Sequence, residues 1–126
     1  MNALSQIPAS RFLTATGQLL AGLLFIFWGA LFIEHLSEWL LHRGGPWPPP
    51  GVRLARVLHF AMPVGLTLML WRADVGTLAT VVATVAFFSV IGMRTFPMMA
   101  LLNLSPILFF GIARVAGRES LRPLAQ

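Results

Sequence analysis

Cysteine is absent from this chain of 126 residues. Its absence excludes disulfide bonds, thiolate nucleophiles, cysteine-ligated zinc and iron–sulfur clusters. Lysine is absent as well, so all nine basic residues are arginine, and only four residues are acidic. Charged residues make up 10% of the chain and hydrophobic residues 57%, whereas an average soluble domain is about 25% charged. A composition so poor in charge is that of a membrane protein.

Four stretches of the chain carry no Asp, Glu or Arg: 13–33, 57–71, 75–93 and 96–113. All but the second reach the ~18 residues that a membrane-spanning helix needs. The second covers only about 22 Å at ~1.5 Å per residue, but Arg53 and Arg56 can extend their charged ends to the headgroups and let the helix begin near residue 53. The sequence therefore predicts an all-α integral membrane bundle of four transmembrane helices in up-down arrangement. The expected helices are about 12–41, 53–71, 75–93 and 96–115, in a single domain that ends in a short basic tail at 116–126.

Short connections set the order of the helices. Gly44 and Gly45 end the first helix, and the PWPPP segment that follows cannot continue it because proline lacks the backbone N–H. We expect the carboxylate of Asp74 to cap the third helix. We expect Thr95 to cap the fourth helix, with Pro97 in its first turn. The links RAD (72–74) and RTFP (94–97) are only three and four residues long. Links this short make the second, third and fourth helices antiparallel neighbours in turn.

Polar side chains are rare inside the predicted spans, and the two amides are Gln18 and Asn103. We expect Asn103 to hydrogen-bond to another helix. Pro106 frees the carbonyl of Leu102, which predicts a small polar pocket there. Small residues recur every three or four positions in the first and third helices, a pattern typical of close helix packing in membranes. They are Gly17, Ala21 and Gly22 in the first helix, and Gly76, Ala79, Thr80, Ala83 and Thr84 in the third.

Arginine and tryptophan lie at the ends of the spans, which is the pattern of interfacial anchors and not of a nucleic-acid surface. The predicted anchors are Trp39, Trp47, Arg53, Arg56, Trp71 and Arg72. One side of the membrane receives Arg11, Arg72, Arg114, Arg118 and Arg122, and the other receives Arg43, Arg53, Arg56 and Arg94. The excess on the side of the termini, five arginines against four, predicts that both termini are cytoplasmic. The expected environment is the lipid bilayer of a plasma or inner membrane.

Ionisable side chains concentrate in the segment IEHLSEWLLH at the end of the first span. On a continuous helix Glu34, Glu38 and His42 follow one another at four-residue steps, and His35 lies beside Glu38 and His42. His59 enters the second helix on the same side of the membrane, where the hairpin brings it opposite His35 or Glu34. Imidazole and carboxylate are usual ligands of zinc, iron and manganese. These five residues are therefore a candidate metal site.

Other interpretations of the same segment remain open. His59 with His35 or His42 is the minimum that haem b requires. Glu34 follows Ile33 at the edge of the hydrocarbon, with Arg53 and Arg56 nearby. A partly desolvated carboxylate in that position suits a site for protons, quinone or another polar ligand. The simplest interpretation is a hydrated membrane edge whose side chains pair with the loop arginines and bind no cofactor. The spacing matches neither the Glu-x-x-His pairs of di-iron bundles nor the H-E-x-x-H of zinc proteases.

Several short motifs follow one another along the chain: EH at the end of the first span, LHFAMPVGL, LW followed by arginine, AFFSVIG and LNLSPILFF. With them the chain resembles a class of small bacterial four-span membrane proteins that carry domain-of-unknown-function labels. The resemblance covers about residues 15–115. It implies the four-helix topology and a plasma-membrane location, and it implies no activity, cofactor or catalytic residue.

The sequence contains no Ser-His-Asp set, phosphate-binding loop or nucleotide fingerprint, and its connections are too short for a separate catalytic domain. We therefore expect an accessory or scaffold component of a larger membrane complex, or a homo-oligomer, and not an enzyme. One alternative is a metal- or haem-binding redox component. A second is a small-solute or proton transporter with Glu34 and Asn103 on its path. However, the middle of the first helix, GLLFIFWG, lacks the carboxylate on which exporters of the small multidrug resistance type depend.

Overall fold

The computed structural model describes residues 9–41, 47–92 and 97–119. They form four helices: α1 (Ala9–Leu41), α2 (Pro50–Trp71), α3 (Ala73–Ile91) and α4 (Pro97–Glu119). All four are long and apolar enough to cross a membrane. Helix α1 packs against α2 and α4, and α3 packs against the same two neighbours. The predicted all-α bundle of four transmembrane helices is confirmed.

Helix α2 begins at Pro50, three residues before the expected start. The backbone N–H groups of Val52 and Arg53 donate to the carbonyl of Pro49 at 3.0 and 3.2 Å, so Pro49 is the N-cap of the helix and Pro50, the last of the prolines, is its first residue. Proline fits there because its missing N–H would have no partner in the helix anyway. The 22 residues of α2 measure about 33 Å at ~1.5 Å per residue, which is enough for a hydrocarbon core of ~30 Å.

The expected cap of α3 is wrong. Arg72 precedes α3 and makes no side-chain cap, while Asp74 lies inside the first turn of the helix. Asp74 instead forms an ion pair with Arg114 of α4. Only one residue separates α2 from α3, so the helix has already begun when the chain reaches Asp74. At the next connection Pro97 begins α4 as predicted, and Thr95 lies outside the described residues.

Helices α2 and α3 approach each other most closely at two glycines. A Cβ atom placed on Gly76 would lie 2.0 Å from the backbone nitrogen of Met69, and one on Gly65 would lie 2.9 Å from the backbone nitrogen of Thr80. No side chain larger than hydrogen fits at either position without a shift of the backbone. The packing role predicted for the small residues of α3 is confirmed.

Asn103 occupies the middle of the bundle and is completely buried. Its Nδ2 donates to Oγ1 of Thr84 on α3 and lies 3.6 Å from Sδ of Met62 on α2. The predicted interhelical hydrogen bond is confirmed. The carbonyl of Leu102 accepts the hydroxyl of Ser105 at 2.7 Å. The group that Pro106 frees is thus satisfied within α4, and the pocket expected from it is not needed.

Candidate functional site

The described histidines meet at the end of the bundle where α1 ends and α2 begins. His59 is 6% exposed, and its ring centroid lies 5.8 Å from that of His35. This is the pairing across the α1–α2 hairpin that the sequence predicts. The ring of His59 also meets Trp28 of α1 and Phe87 of α3, at centroid distances of 5.4 and 5.3 Å. Helices α1, α2 and α3 therefore jointly fix its position.

Each of these imidazoles has one nitrogen bonded to the backbone of α1. Nδ1 of His35 lies 2.8 Å from the carbonyl oxygen of Leu31, and the ring of His59 is hydrogen-bonded to the backbone of Trp28. Nε2 of His59 is buried and has no hydrogen-bond partner. Nε1 of Trp28, Oγ1 of Thr80 and Oδ1 of Asn103 are likewise buried without a partner among the described residues.

A cavity of about 330 Å³ lies beside the two histidines. We call it the α1–α2 cavity. Its aromatic wall is formed by Phe32, Trp39, Trp47 and Phe60, and its basic side chains are Arg53 and Arg56. The volume lies at the lower end of the range that small-molecule sites occupy, ~300–1,000 Å³. The cavity is thus mostly apolar and carries few polar groups, as ligand sites usually do.

Tryptophan and arginine pack together at the outer end of the α1–α2 cavity. The guanidinium carbon of Arg56 lies 5.9 Å from the ring centroid of Trp39, within reach of a cation–π interaction. The centroids of Trp39 and Trp47 are 6.5 Å apart. The anchors predicted at this end of the bundle therefore also form the walls of a cavity.

The predicted metal set does not assemble as a group of three or more within the described residues. The side chains of Glu34 and Glu38 are exposed, and His42 lies outside the described residues. Across residues 9–41, 47–92 and 97–119, no three of His, Asp and Glu are close enough to share a metal ion. His35 and His59 do come together, and they are one of the two pairs considered for haem b; the other pair, His59 with His42, falls partly outside the described residues.

A second cavity of about 460 Å³ lies at the opposite end of the bundle. Its polar side chains include Gln18, Asp74 and Arg114. Gln18 therefore lines a cavity near the membrane edge and, unlike Asn103, does not join the buried centre. The other two predicted anchors, Trp71 and Arg72, are exposed at this same end, and Trp71 also lines the cavity.

The outward face of α1 carries a regular alternation of large and small residues, which we call the outer stripe. Its large members recur every seven residues and are each about two thirds exposed: Phe12 66%, Leu19 65%, Ile26 65% and Ile33 66%. Its small members are also seven apart: Ala15, Gly22 and Gly29. A Cβ atom placed on Gly22 or Gly29 would meet nothing within 4 Å. The outer stripe is therefore unfilled at both glycines, and its end at Gly29 and Ile33 also borders a cavity of about 450 Å³ against α2.

The buried residues on the opposite face of α1 recur with the same seven-residue period, but this face is packed against the rest of the bundle. Gly17, Ala21, Leu24 and Trp28 are buried against the rest of the bundle, and a Cβ atom on Gly17 would lie 3.2 Å from the ring of Phe110. Of the three small residues of α1 that were predicted to pack against another helix, Gly17 and Ala21 face inward, whereas Gly22 faces outward.

Sequence reasoning missed the contribution of Trp28. This residue lies within the apolar GLLFIFWG segment, yet it bonds to His59 through its backbone and meets the His59 ring edge-on. Its indole N–H gave no such signal, because Nε1 of Trp28 is buried without a hydrogen-bond partner among the described residues and the contact with His59 is made by the Trp28 backbone and ring. The seven-residue spacing of the outer stripe, by contrast, was readable from the sequence and was missed.

Comparison with known proteins adds no residue to these sites. No protein-family model matches the chain, and neither a curated protein nor a solved structure matches it. Any functional conclusion therefore depends on the chain's own geometry.

Proposed function

We propose that this protein is an accessory component of a larger membrane complex and that it joins its partner through the outer stripe of α1. The observation that carries the proposal is the alternation of open glycines, Gly22 and Gly29, with large apolar residues at a constant seven-residue spacing. Such a surface receives the side chains of a second helix, because the small residues provide holes between the large ones.

The spacing specifies the kind of partner. A seven-residue repeat gives 3.5 residues per turn, the period at which two helices wrap around each other in a left-handed crossing. From residue 12 to residue 33 the outer stripe extends roughly 32 Å at ~1.5 Å per residue, which equals the hydrocarbon thickness of ~30 Å. The partner surface is therefore a complete transmembrane helix.

The outward face of α3 provides a contrast within the same chain. Val75, Leu78, Val82 and Val85 are all exposed there, at spacings of three and four residues. The four are large, so the face is evenly bulky and offers no hole for an incoming side chain. A face of this kind suits fluid lipid, whereas close helix contact in membranes requires small residues.

The proposal includes the location and orientation. We infer a bacterial inner membrane, with both termini in the cytoplasm and the α1–α2 cavity on the outer side. The support is the excess of arginine on the side of the termini.

The two alternative functions differ in their support. A redox component is favoured by the arrangement of His35 and His59, because histidines that bind metal usually donate their second ring N–H to a carbonyl. It requires a stoichiometric metal or a Soret absorption band that disappears in His59→Ala. Transport has no such observation in its favour, since Asn103, Thr84 and Met62 fill the middle of the bundle.

The test compares glycine substitutions on two faces of the bundle. The protein, produced at its natural level, is purified in a mild detergent, and its co-purifying proteins are quantified. Gly22→Leu and Gly29→Leu fill the holes of the outer stripe, and we expect them to remove a stoichiometric partner. Gly111→Leu is the matched control, because Gly111 on α4 is equally open, and it should leave the partner bound.

Two outcomes would contradict the proposal. One is a partner lost equally in Gly22→Leu and Gly111→Leu. The other is self-association alone, with no second polypeptide, because the outer stripe would then serve a homodimer. Thermal unfolding of each variant shows whether the bundle is intact, and both glycines have room for the added side chain.

A further inference from the structure

The second cavity, at the end of the bundle where α2 ends and α3 begins, is lined by all four helices. Its volume of about 460 Å³ lies within the ~300–1,000 Å³ that small-molecule sites occupy. Helix α1 contributes Gln18 to its wall, α3 contributes Asp74 and α4 contributes Arg114. None of the described residues that line it belongs to the outer stripe. Binding in this cavity therefore does not require the partner helix proposed above.

Two opposite charges lie side by side in the wall of this cavity. Nη2 of Arg114 donates to Oδ1 of Asp74, and the two side chains are 62% and 71% exposed. The ion pair thus engages one guanidinium nitrogen and one carboxylate oxygen. A guanidinium has five N–H donors, and an ionised carboxylate has two acceptor oxygens. Arg114 can therefore also donate to a molecule in the cavity, and Asp74 can also accept from it.

Neutral acceptors lie near this ion pair. The hydroxyl of Thr14 donates to the carbonyl of Ser10 at 2.8 Å, so its oxygen can act toward a ligand only as an acceptor. Gln18 lies one turn further along α1, and Thr77 lies three residues after Asp74 on α3. All of these side chains except that of Ser10 line the cavity. Several acceptors in one cavity suit a group with several N–H donors, such as a primary ammonium.

The rest of the wall is apolar and lies at the edge of the membrane. Trp71 is 83% exposed, and tryptophan is enriched at the depth of the lipid headgroups. Asp74 lies in the first turn of α3, directly after this tryptophan and Arg72. The apolar side chains that line the cavity include Met69, Leu70, Ile107 and Phe110. A ligand with a charged head and an apolar body, such as a phospholipid, fits such a wall.

The balance of charge distinguishes between phospholipid headgroups. Asp74 and Arg114 are the charged side chains that line the cavity in the described part of the chain, so its wall carries both signs and no net charge. An anionic headgroup would be attracted by Arg114 and repelled by Asp74. An ethanolamine headgroup joins a phosphate to a primary ammonium through two carbon atoms. Antiparallel to the ion pair, each of its charges meets a charge of opposite sign.

We propose that the second cavity binds the headgroup of phosphatidylethanolamine. The phosphate accepts from Arg114, and the ammonium donates to Asp74 and to the side-chain oxygen of Gln18. The glycerol and the first part of the acyl chains contact the apolar wall. The bound lipid thereby connects α1, α3 and α4 at this end of the bundle.

The experiment compares lipids that differ only in the headgroup. The full-length protein is purified in a mild detergent, and its affinity for each added lipid is measured by native mass spectrometry. Phosphatidylcholine carries the same two charges, but its methylated ammonium has no N–H. We expect phosphatidylethanolamine to bind about tenfold more tightly, the effect of one hydrogen bond to a charged group. It should also bind more tightly than phosphatidylglycerol, which has no ammonium.

Two variants that break the same ion pair separate lipid recognition from a structural effect. Asp74→Ala removes the acceptor of the ammonium and should bring the affinity for phosphatidylethanolamine down to that for phosphatidylcholine. Arg114→Ala removes the donor to the phosphate, which both lipids share, so it should weaken both and keep the preference. Gly22→Leu in the outer stripe is the control and should change neither affinity, even though it removes the protein partner. Thermal unfolding establishes that each variant is folded.

Four results would overturn the proposal. The first is equal affinity of the unmodified protein for phosphatidylethanolamine and phosphatidylcholine. The second is tighter binding of phosphatidylglycerol, which would make Arg114 a site for anionic headgroups. The third is loss of the preference in Asp74→Ala and Arg114→Ala alike, because the ion pair would then serve only the bundle. The fourth is competition by free phosphoethanolamine at the affinity of the lipid, which would assign the cavity to a soluble zwitterion.

Discussion

Asn103 and Thr84 join α4 to α3 through a hydrogen bond between two completely buried side chains at the centre of the bundle. Lipid offers no donor or acceptor at this depth, and Nδ2 of Asn103 finds its acceptor in Oγ1 of Thr84, whereas Oδ1 of Asn103 has no partner among the described residues. The pair therefore fixes the rotation of α4 against α3. The contact between these helices is otherwise less extensive than those of the other neighbouring pairs.

A double-mutant cycle measures this contact. Asn103→Leu and Thr84→Val should each lower the free energy of unfolding, and the coupling between them should be about 0.6 kcal/mol, with an upper limit of ~1.7. The measurement is reversible unfolding in bicelles. The control cycle combines Asn103→Leu with Ser89→Ala, because Ser89 bonds within α3 to the carbonyl of Val85. A coupling of zero in the first cycle would mean that the hydrogen bond contributes no stability.

Gly76 should be the glycine least tolerant of substitution. In Gly76→Ala the new methyl group would meet the backbone of Met69 at 2.0 Å, and α2 and α3 would have to separate. We expect a loss of about 1–3 kcal/mol in the free energy of unfolding, the usual cost of overpacking. Gly111→Ala is the matched control, because its methyl group meets nothing and alanine favours a helix by about 0.5–1 kcal/mol. Equal effects of the two substitutions would contradict the packing described for α2 and α3.

The sequence established the number and type of the helices because uncharged length and composition alone determine a span. It also placed His59 opposite His35 or Glu34, since a hairpin brings the end of one helix beside the start of the next, and in the structure the ring of His59 lies beside that of His35. It did not predict which residues of α1 face inward. Apolar side chains cover all sides of this helix, so hydrophobicity does not set its rotation, and Gly17 and Gly22 look equivalent until neighbouring helices are in place.

The error at Asp74 has a different cause. A capping carboxylate precedes the first helical residue, and nothing in the residues around position 73 indicated that α3 begins with Ala73, directly after Arg72. The early start of α2 has the same origin, since a run of prolines is read as an interruption although the first turn of a helix tolerates it. Helix ends depend on a few backbone bonds, and composition does not determine them.

Because the chain has no cysteine of its own, single cysteine substitutions give a direct test of its orientation in the membrane. Pro49→Cys and Arg72→Cys introduce single thiols at opposite ends of α2, and both positions are exposed. With the termini in the cytoplasm, a membrane-impermeant maleimide should label position 49 in intact spheroplasts and position 72 only after permeabilisation. The reverse pattern would invert the proposed orientation. Labelling of both positions from one side would contradict a spanning α2.

The outer stripe is the central claim, and site-specific photo-crosslinking tests it most directly. A photoreactive amino acid replaces Ile26 in the outer stripe or, as the control, Val82 on the outward face of α3. After irradiation of intact membranes, position 26 should give one discrete adduct with a different polypeptide, and position 82 should give lipid adducts only. Lipid adducts at both positions, or an adduct of the chain with itself at position 26, would contradict an accessory role through α1.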